Sequence, residues 1–288
     1  MWSPVAVVLV VSGLCLADET FTMDKEKAYR SRRMVGGLLT GKIPWQVLVS
    51  LGGSQIGGGA LIGDRWVLTA GRNLFHNKSH EARTGDPPSI PKVYLGITHL
   101  REMEESFNEA EVAEVILHPS FQNTSDWDND LALIKLKHKL AFEGNKLPLY
   151  LPEKEYAVED TYGIVAGWGW GALLKNSELL KTLTLRVANF TMCQQEFINQ
   201  NWNSSDKQKL KSIPDVDENM FCTEATKYEE NVCFGDAGAG FVVQDPENGK
   251  KYLAGILSFD KSCRVDKYAV YMKLTAYLPW IMSTIGPQ

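Results

Sequence analysis

The chain has 288 residues, 44% of them hydrophobic and 23% charged, and carries a net charge of −5. That length and balance suit a globular chain able to bury one large β-rich core or two small ones. The mild acidity, without any Lys/Arg-rich run, argues against nucleic acid or an anionic membrane as the main partner.

Residues 1–17 read as a secretory signal: an apolar stretch from Val5 through Leu16, too short to span a bilayer, then small residues ending at Ala17. Cleavage is expected after Ala17. Residues 18–33 are polar and charged and end in Arg30-Ser-Arg-Arg33, which reads as a pro-segment with a basic cleavage site before Met34. The mature domain is then 34–288. Short β-rich runs follow at 45–50, 60–69, 92–96, 113–118, 131–137, 161–168, 181–187, 240–243, 252–258 and 269–274, each bounded by turn signals. That spacing predicts an all-β barrel or sandwich rather than βαβ units. The segment 147–152, Leu-Pro-Leu-Tyr-Leu-Pro, predicts a linker between two halves, with the crossing near 147–160. Only the C-terminus reads as helical, with Thr275 as cap, Pro279 in a first turn, and Trp280, Ile281 and Ile285 on one face.

Cys15 leaves with the signal, so four of the five cysteines remain: Cys193, Cys222, Cys233 and Cys263. In an oxidising compartment the default is two disulfides, and no metal-ligand spacing is present. Sequons at Asn77, Asn123, Asn189 and Asn203 point to the same compartment. The chain is therefore expected to be secreted and extracellular.

Several motifs occur in order: Met34-Val-Gly-Gly37, Ile43-Pro-Trp-Gln-Val47, Trp66-Val-Leu-Thr-Ala-Gly-Arg-Asn73, Asn129-Asp-Leu-Ala-Leu-Ile-Lys-Leu136, Ala166-Gly-Trp-Gly169 and Cys233-Phe-Gly-Asp-Ala-Gly238. Gly255-Ile-Leu-Ser258 and Val270-Tyr-Met-Lys273 complete the set. From residue 34 onward they resemble the chymotrypsin family of serine proteases. The resemblance implies two perpendicular six-stranded antiparallel barrels and a C-terminal helix. It also implies the pairings Cys193–Cys222 and Cys233–Cys263, and a place for a new N-terminus at Asp236 once Arg33–Met34 is cut.

Acyl transfer in that family needs a serine hydroxyl, a histidine to take its proton, and a buried aspartate to orient the imidazole. Asp130 matches the aspartate. Arg72 stands at the histidine position, and a guanidinium stays protonated at physiological pH. Ala237 stands at the serine position, and its methyl has no lone pair. Losing such residues lowers kcat on the order of a millionfold, roughly 8 kcal/mol of barrier. The pocket is altered as well. Its base is the neutral Asn231, and the substrate-pairing segment reads Ser258-Phe-Asp260, where an aspartate replaces a glycine. His76 and Ser258 are the nearest alternatives for a rescued mechanism. The expected state is an inactive protease homologue without metal or cofactor, and Arg72 is expected to pair with Asp130 structurally. The family's cystine beside the histidine is missing from both ends, at Gly57 and Asn73.

Gly255-Ile-Leu-Ser-Phe-Asp-Lys-Ser-Cys263, Asn73-Leu-Phe and the long Cys193–Cys222 interval resemble the haptoglobin family in particular. That implies a plasma glycoprotein that binds free haemoglobin, as its αβ dimer, and limits haem-driven oxidation. The upstream segment has no cysteine, and Tyr150 stands where a tethering cysteine would be, as in short, module-free haptoglobins of bony fishes. A monomer is expected before haemoglobin binds. The alternative is a regulatory pseudoprotease that binds another protease or plasma protein. Trp127, Trp170 and the insertion 194–211 are candidate contact regions, each with a packing or solvated-loop reading beside it.

Overall fold

A computed structural model describes residues 37–286 except 53–54, 77–86, 124, 145, 172–174, 202–213, 229, 261–262 and 264–266. The signal, the pro-segment, the Arg33–Met34 junction, and Asn77 and Asn203 lie outside the described residues.

A two-residue strand, β1 (Leu38–Leu39), leads the chain. The first sheet holds β2 (Gln46–Gly52), β3 (Gln55–Leu61), β4 (Trp66–Thr69), β5 (Lys92–Leu95), β6 (Glu109–Ala110), β7 (Val112–Leu117) and β8 (Ala132–Leu136). Its antiparallel order is β6-β5-β2-β3-β4-β8-β7. Only Glu111 separates β6 from β7, so one broken strand joins the two edges and closes the sheet on itself. The second sheet holds β9 (Tyr162–Gly167), β10 (Lys181–Val187), β11 (Met220–Glu224), β12 (Gly240–Gln244), β13 (Lys251–Asp260) and β14 (Ala269–Lys273). Here β9 pairs both β10 and β12, which closes six strands, and β1 adds to the outside of β10. Helix α1 (Phe190–Asn201) lies between β10 and β11, and α2 (Leu274–Ile285) ends the chain. Two antiparallel barrels with a C-terminal helix are the architecture the resemblance implies. Each sheet counts seven strands rather than six, because one strand in the first is interrupted at Glu111 and β1 joins the second.

Strand periodicity explains where the cores form. Alternate residues of β2 face opposite sides. Val47 and Val49 pack inside the first barrel with Leu61, Val67, Val93 and Ile134. Leu48 faces the other way, into a layer with Ile56, Tyr94, Ala166, Trp168 and Leu180 drawn from both barrels. A strand buried on both faces must be apolar throughout, which is why Val47, Leu48 and Val49 run consecutively. The backbones of the two barrels also touch. A Cβ on Gly58 would meet the Ala239 nitrogen at 2.7 Å and its Cα at 2.8 Å, so only glycine fits there.

Three local expectations are corrected. The run 60–69 is two strands, because the chain turns at 62–65 and closes with Ile62 N–H donating to the Trp66 carbonyl at 2.9 Å. Helix α1 runs into the start of the 194–211 insertion, although only the C-terminus reads as helical in the sequence. Asn189 caps it: its Oδ1 accepts from the Met192 N–H at 3.1 Å. Helix α2 starts at Leu274, with Lys273 as the extended residue before it. Thr275 therefore lies inside the helix and bonds Glu155, and Pro279 stands mid-helix rather than in the first turn. Buried Leu274, Tyr277 and Ile281 recur at helical spacing and hold α2 on the core despite the proline.

Residues 147–152 lie between β8 of the first sheet and β9 of the second. Leu149 N–H donates to the Leu61 carbonyl at 2.9 Å, and the Tyr150 carbonyl accepts from Leu253 N–H at 2.9 Å. The Tyr150 ring lies 5.8 Å from that of Tyr252 and remains exposed.

Candidate functional site

The triad positions converge where the barrels meet. A 3₁₀ turn, Gly71–Leu74, carries Arg72, and the loop before β8 carries Asp130. Asp130 is 0% exposed. Its Oδ1 accepts the Arg72 backbone N–H at 2.8 Å, and its Oδ2 accepts the Ser258 hydroxyl at 2.6 Å. The Arg72 guanidinium approaches through Nε at 3.6 Å from Oδ2, beyond hydrogen-bond length. The pair is therefore Coulombic, and the buried Nε finds no hydrogen-bond acceptor among the described residues. The guanidinium lies 4.7 Å from the centre of the Trp127 ring. Trp127 holds φ of 64°, a left-handed conformation that a bulky residue adopts only when its surroundings enforce it. Burial lowers the Arg72 pKa from its ordinary value, while Asp130 and then Asp260 oppose that shift. Arg72 is thus a cation wedged between a carboxylate and an indole, and Trp127 serves as its platform.

Neither alternative base or nucleophile is placed for rescue. His76 Nδ1 meets Gln55 Oε1 at 3.3 Å on the surface, and the Ser258 hydroxyl is committed to Asp130.

Ala237 is held by its backbone. Its carbonyl accepts from Gly58 N–H at 2.8 Å and from Asn73 Nδ2 at 2.7 Å. Asn73 Nδ2 also reaches Thr69 Oγ1 at 3.1 Å, and Thr69 donates to the Gly58 carbonyl at 2.7 Å. The Asn73 amide thus lies against Gly57, at the two positions the resemblance gives to a cystine. A Cβ on Gly57 would strike that amide, with its Cγ at 2.6 Å. Asn73 thereby makes a hydrogen-bonded link from the first barrel to the loop before β12 of the second.

Next in the chain, Gly238 has φ of 89°, and a Cβ there would fall on the Gly58 carbonyl oxygen and Thr69 Oγ1. Gly238→Ala is expected to lower unfolding free energy by at least about 2 kcal/mol, from backbone strain plus the clash. A urea melt checks this, and an unchanged midpoint would show that the loop yields at no penalty.

The pocket positions are also committed. Asn231 is buried; its Nδ2 donates to the Lys267 carbonyl at 2.8 Å and its Oδ1 accepts from Val232 N–H at 2.9 Å. A neutral amide with both ends bonded to backbone offers no counter-charge to a cationic substrate side chain. Asp260 accepts the Cys263 N–H. Burial raises its pKa, opposed by that bond and by the Arg72 charge. The disulfides are Cys193–Cys222 and Cys233–Cys263, with Cα–Cα distances of 6.4 and 4.5 Å. Trp170 makes an edge contact with the exposed Phe234, ring centres 5.3 Å apart.

Of the described sequons, Asn123 is exposed. Asn189 is half-buried, and its Nδ2, the atom a glycan would occupy, donates to Glu159 Oε2 at 3.0 Å. Asp236 is fully buried; its carboxylate accepts Gly169 N–H at 2.8 Å and Cys233 N–H at 3.0 Å. Desolvation nevertheless pushes its pKa up to about 7.

A family model described as Trypsin matches residues 39–281. Similar proteins include the haptoglobin of Cervus elaphus, 36% identical over 259 residues, covering 88% of this chain and 61% of that protein. The haptoglobin of Canis lupus familiaris is 35% identical, covering 88% of this chain and 74% of that protein. That of Homo sapiens is 36% identical over 268 residues, covering 91% and 62%. The chain therefore spans about three fifths of the length of several relatives it matches.

Proposed function

The chain belongs to the trypsin family and to its haptoglobin members, and from that premise we propose that it is a secreted, non-proteolytic binder of free haemoglobin. The observation that carries the reading is the triad: a methyl at Ala237, and a guanidinium at Arg72 locked between Asp130 and Trp127. Acyl transfer needs an attacking oxygen and a proton acceptor, and neither is supplied there. The rigid barrels instead hold loops in fixed geometry, so less ordering entropy is lost when a large partner docks. The partner is the haemoglobin αβ dimer, and the consequence is restraint of haem-driven oxidation. In this reading residues 1–17 are removed on export, and the protein is a monomer in plasma before it binds.

Mixing purified protein with haemoglobin and measuring complex mass tests the proposal. The expected product is one chain with one αβ dimer at micromolar or lower concentration. Free components at every ratio would remove the haemoglobin assignment and leave a pseudoprotease that regulates another plasma protein. A fluorophosphonate probe is expected to label the protein no more than Ala237-independent background. Stoichiometric labelling would overturn the non-proteolytic reading by itself.

A further inference from the structure

The buried Asp236 needs a cation, and the chain carries one on a neighbouring strand. Lys181 is the first residue of β10 and is 2% exposed. Burial alternates along β10, with Leu183, Leu185 and Val187 turned into the second barrel. Lys181 shares their parity, so its side chain enters the same interior. Directly opposite it on β9 stands Gly167, which has no side chain to fill the space between them. Two residues further, Gly169 donates its N–H to Asp236 Oδ1 at 2.8 Å, and the carboxylate lies so close to Gly169 that a Cβ there would collide with it. Cross-strand neighbours are about 5 Å apart and alternate residues about 7 Å along the strand, which a lysine stem spans.

We propose that the Lys181 ammonium neutralises Asp236 from within the chain, filling the role that the family gives to the N-terminal ammonium released at Arg33–Met34. The loop 233–238 is then set in its final form in the uncut chain, and cleavage of the pro-segment is not a switch for it. Desolvation raises the Asp236 pKa most, the Cys233 and Gly169 N–H bonds lower it, Asp260 raises it, and the Lys181 charge adds a smaller lowering. Tyr271, buried nearby, has its own pKa raised by burial and by the Asp236 charge.

A mutant cycle tests the pairing in the full-length secreted protein. Lys181→Met takes the facing cation from a buried carboxylate, and Asp236→Asn takes the facing anion from a buried ammonium. Each is expected to lower Tm by several degrees, and the double variant is expected to recover most of the loss. Lys181→Arg keeps the cation and should stay near the wild type. If the single losses simply add, the pairing is wrong.

Blocking cleavage with Arg33→Gln separates the two sources of charge. The expected result is an unchanged Tm and unchanged loop; a large loss, with no Lys181–Asp236 coupling, would return the role to the N-terminus of Met34. The titration gives an independent readout. With Asp236 at about 7, the native state keeps a proton that the unfolded chain has released above about pH 4. Its stabilisation is present below that and lost as pH rises toward 7. Removing the ammonium should push the native titration higher still, visible in the Asp236 carboxyl carbon signal; no movement would overturn the proposal.

Discussion

Replacing Asp130 with alanine is expected to destabilise the fold by about 3–5 kcal/mol, the range for stripping one partner from a buried ion pair. Two donors lose their acceptor and one cation loses its counter-charge at once. The Arg72 backbone N–H is 2.8 Å from Oδ1, the Ser258 hydroxyl is 2.6 Å from Oδ2, and the guanidinium sits at 3.6 Å. The guanidinium suffers most, because its side chain is only 13% exposed and it cannot shed its proton. Trp127 remains beneath it, but a ring face is a weaker partner than a carboxylate.

Arg72→Leu is expected to be milder, on the order of 1–2 kcal/mol, because Asp130 would keep its two short donors. Urea unfolding of both variants checks the ranking. A loss below about 1 kcal/mol for Asp130→Ala would show that water reaches the guanidinium and that the aspartate is a relic rather than a support. The ranking matters for function. In a working triad the aspartate serves the imidazole; here it serves the junction of the barrels.

Much of this junction was legible in the sequence, for a physical reason. Motifs around a site shared by two barrels are constrained from both sides, so Arg72, Asp130, Ala237 and Ser258 could be aligned residue by residue. The strands that read most clearly, such as β2 and β10, carry β-branched or alternating apolar runs. Strand β11, Met-Phe-Cys-Thr-Glu, is short and buried along most of its length, so it shows no alternation and went unread. Strand β3, Gln-Ile-Gly-Gly-Gly-Ala-Leu, runs against strand propensity because Gly58 must let Ala239 approach. Helix α1 has a weakly patterned sequence, and its clearest signal, Asn189 before Met192, was read as a sequon.

Trp127 beneath Arg72 was out of reach of any local pattern: the two are far apart in the chain, and the contact depends on a left-handed backbone at the tryptophan. Lys181 differs, since the signal was present. In Lys-Thr-Leu-Thr-Leu-Arg-Val the lysine keeps step with the inward leucines, and a charged residue at a core parity asks for a buried partner.

Restoring both lost side chains, Arg72→His with Ala237→Ser, is expected to leave kcat/KM on small ester substrates at least about a thousandfold below that of an intact trypsin-like enzyme. The oxygen and the imidazole would be back, so the shortfall must come from position. The imidazole is shorter than the arginine it replaces and leaves a gap above Trp127, so Asp130, already bonded to the residue 72 backbone and Ser258, would have to hold its rotamer alone. The cystine that would brace the histidine turn is replaced by the Asn73 amide, which bonds Thr69 and the Ala237 carbonyl.

Binding is impaired separately. Asn231 spends its amide on backbone, and Asp260 places a half-buried carboxylate at the position the resemblance gives to a glycine on the substrate path. A misplacement of about 1 Å alone lowers rates on the order of a hundredfold, so site geometry and substrate approach together outweigh the recovered chemistry. Adding Asp260→Gly should then raise kcat/KM at least about tenfold, mainly by lowering KM, because it clears the approach without replacing a triad residue. Burst titration with a p-nitrophenyl ester separates acylation from steady turnover. A full burst and rapid turnover in the two-residue variant would mean the cleft had stayed catalytically shaped, with two side chains alone keeping it silent.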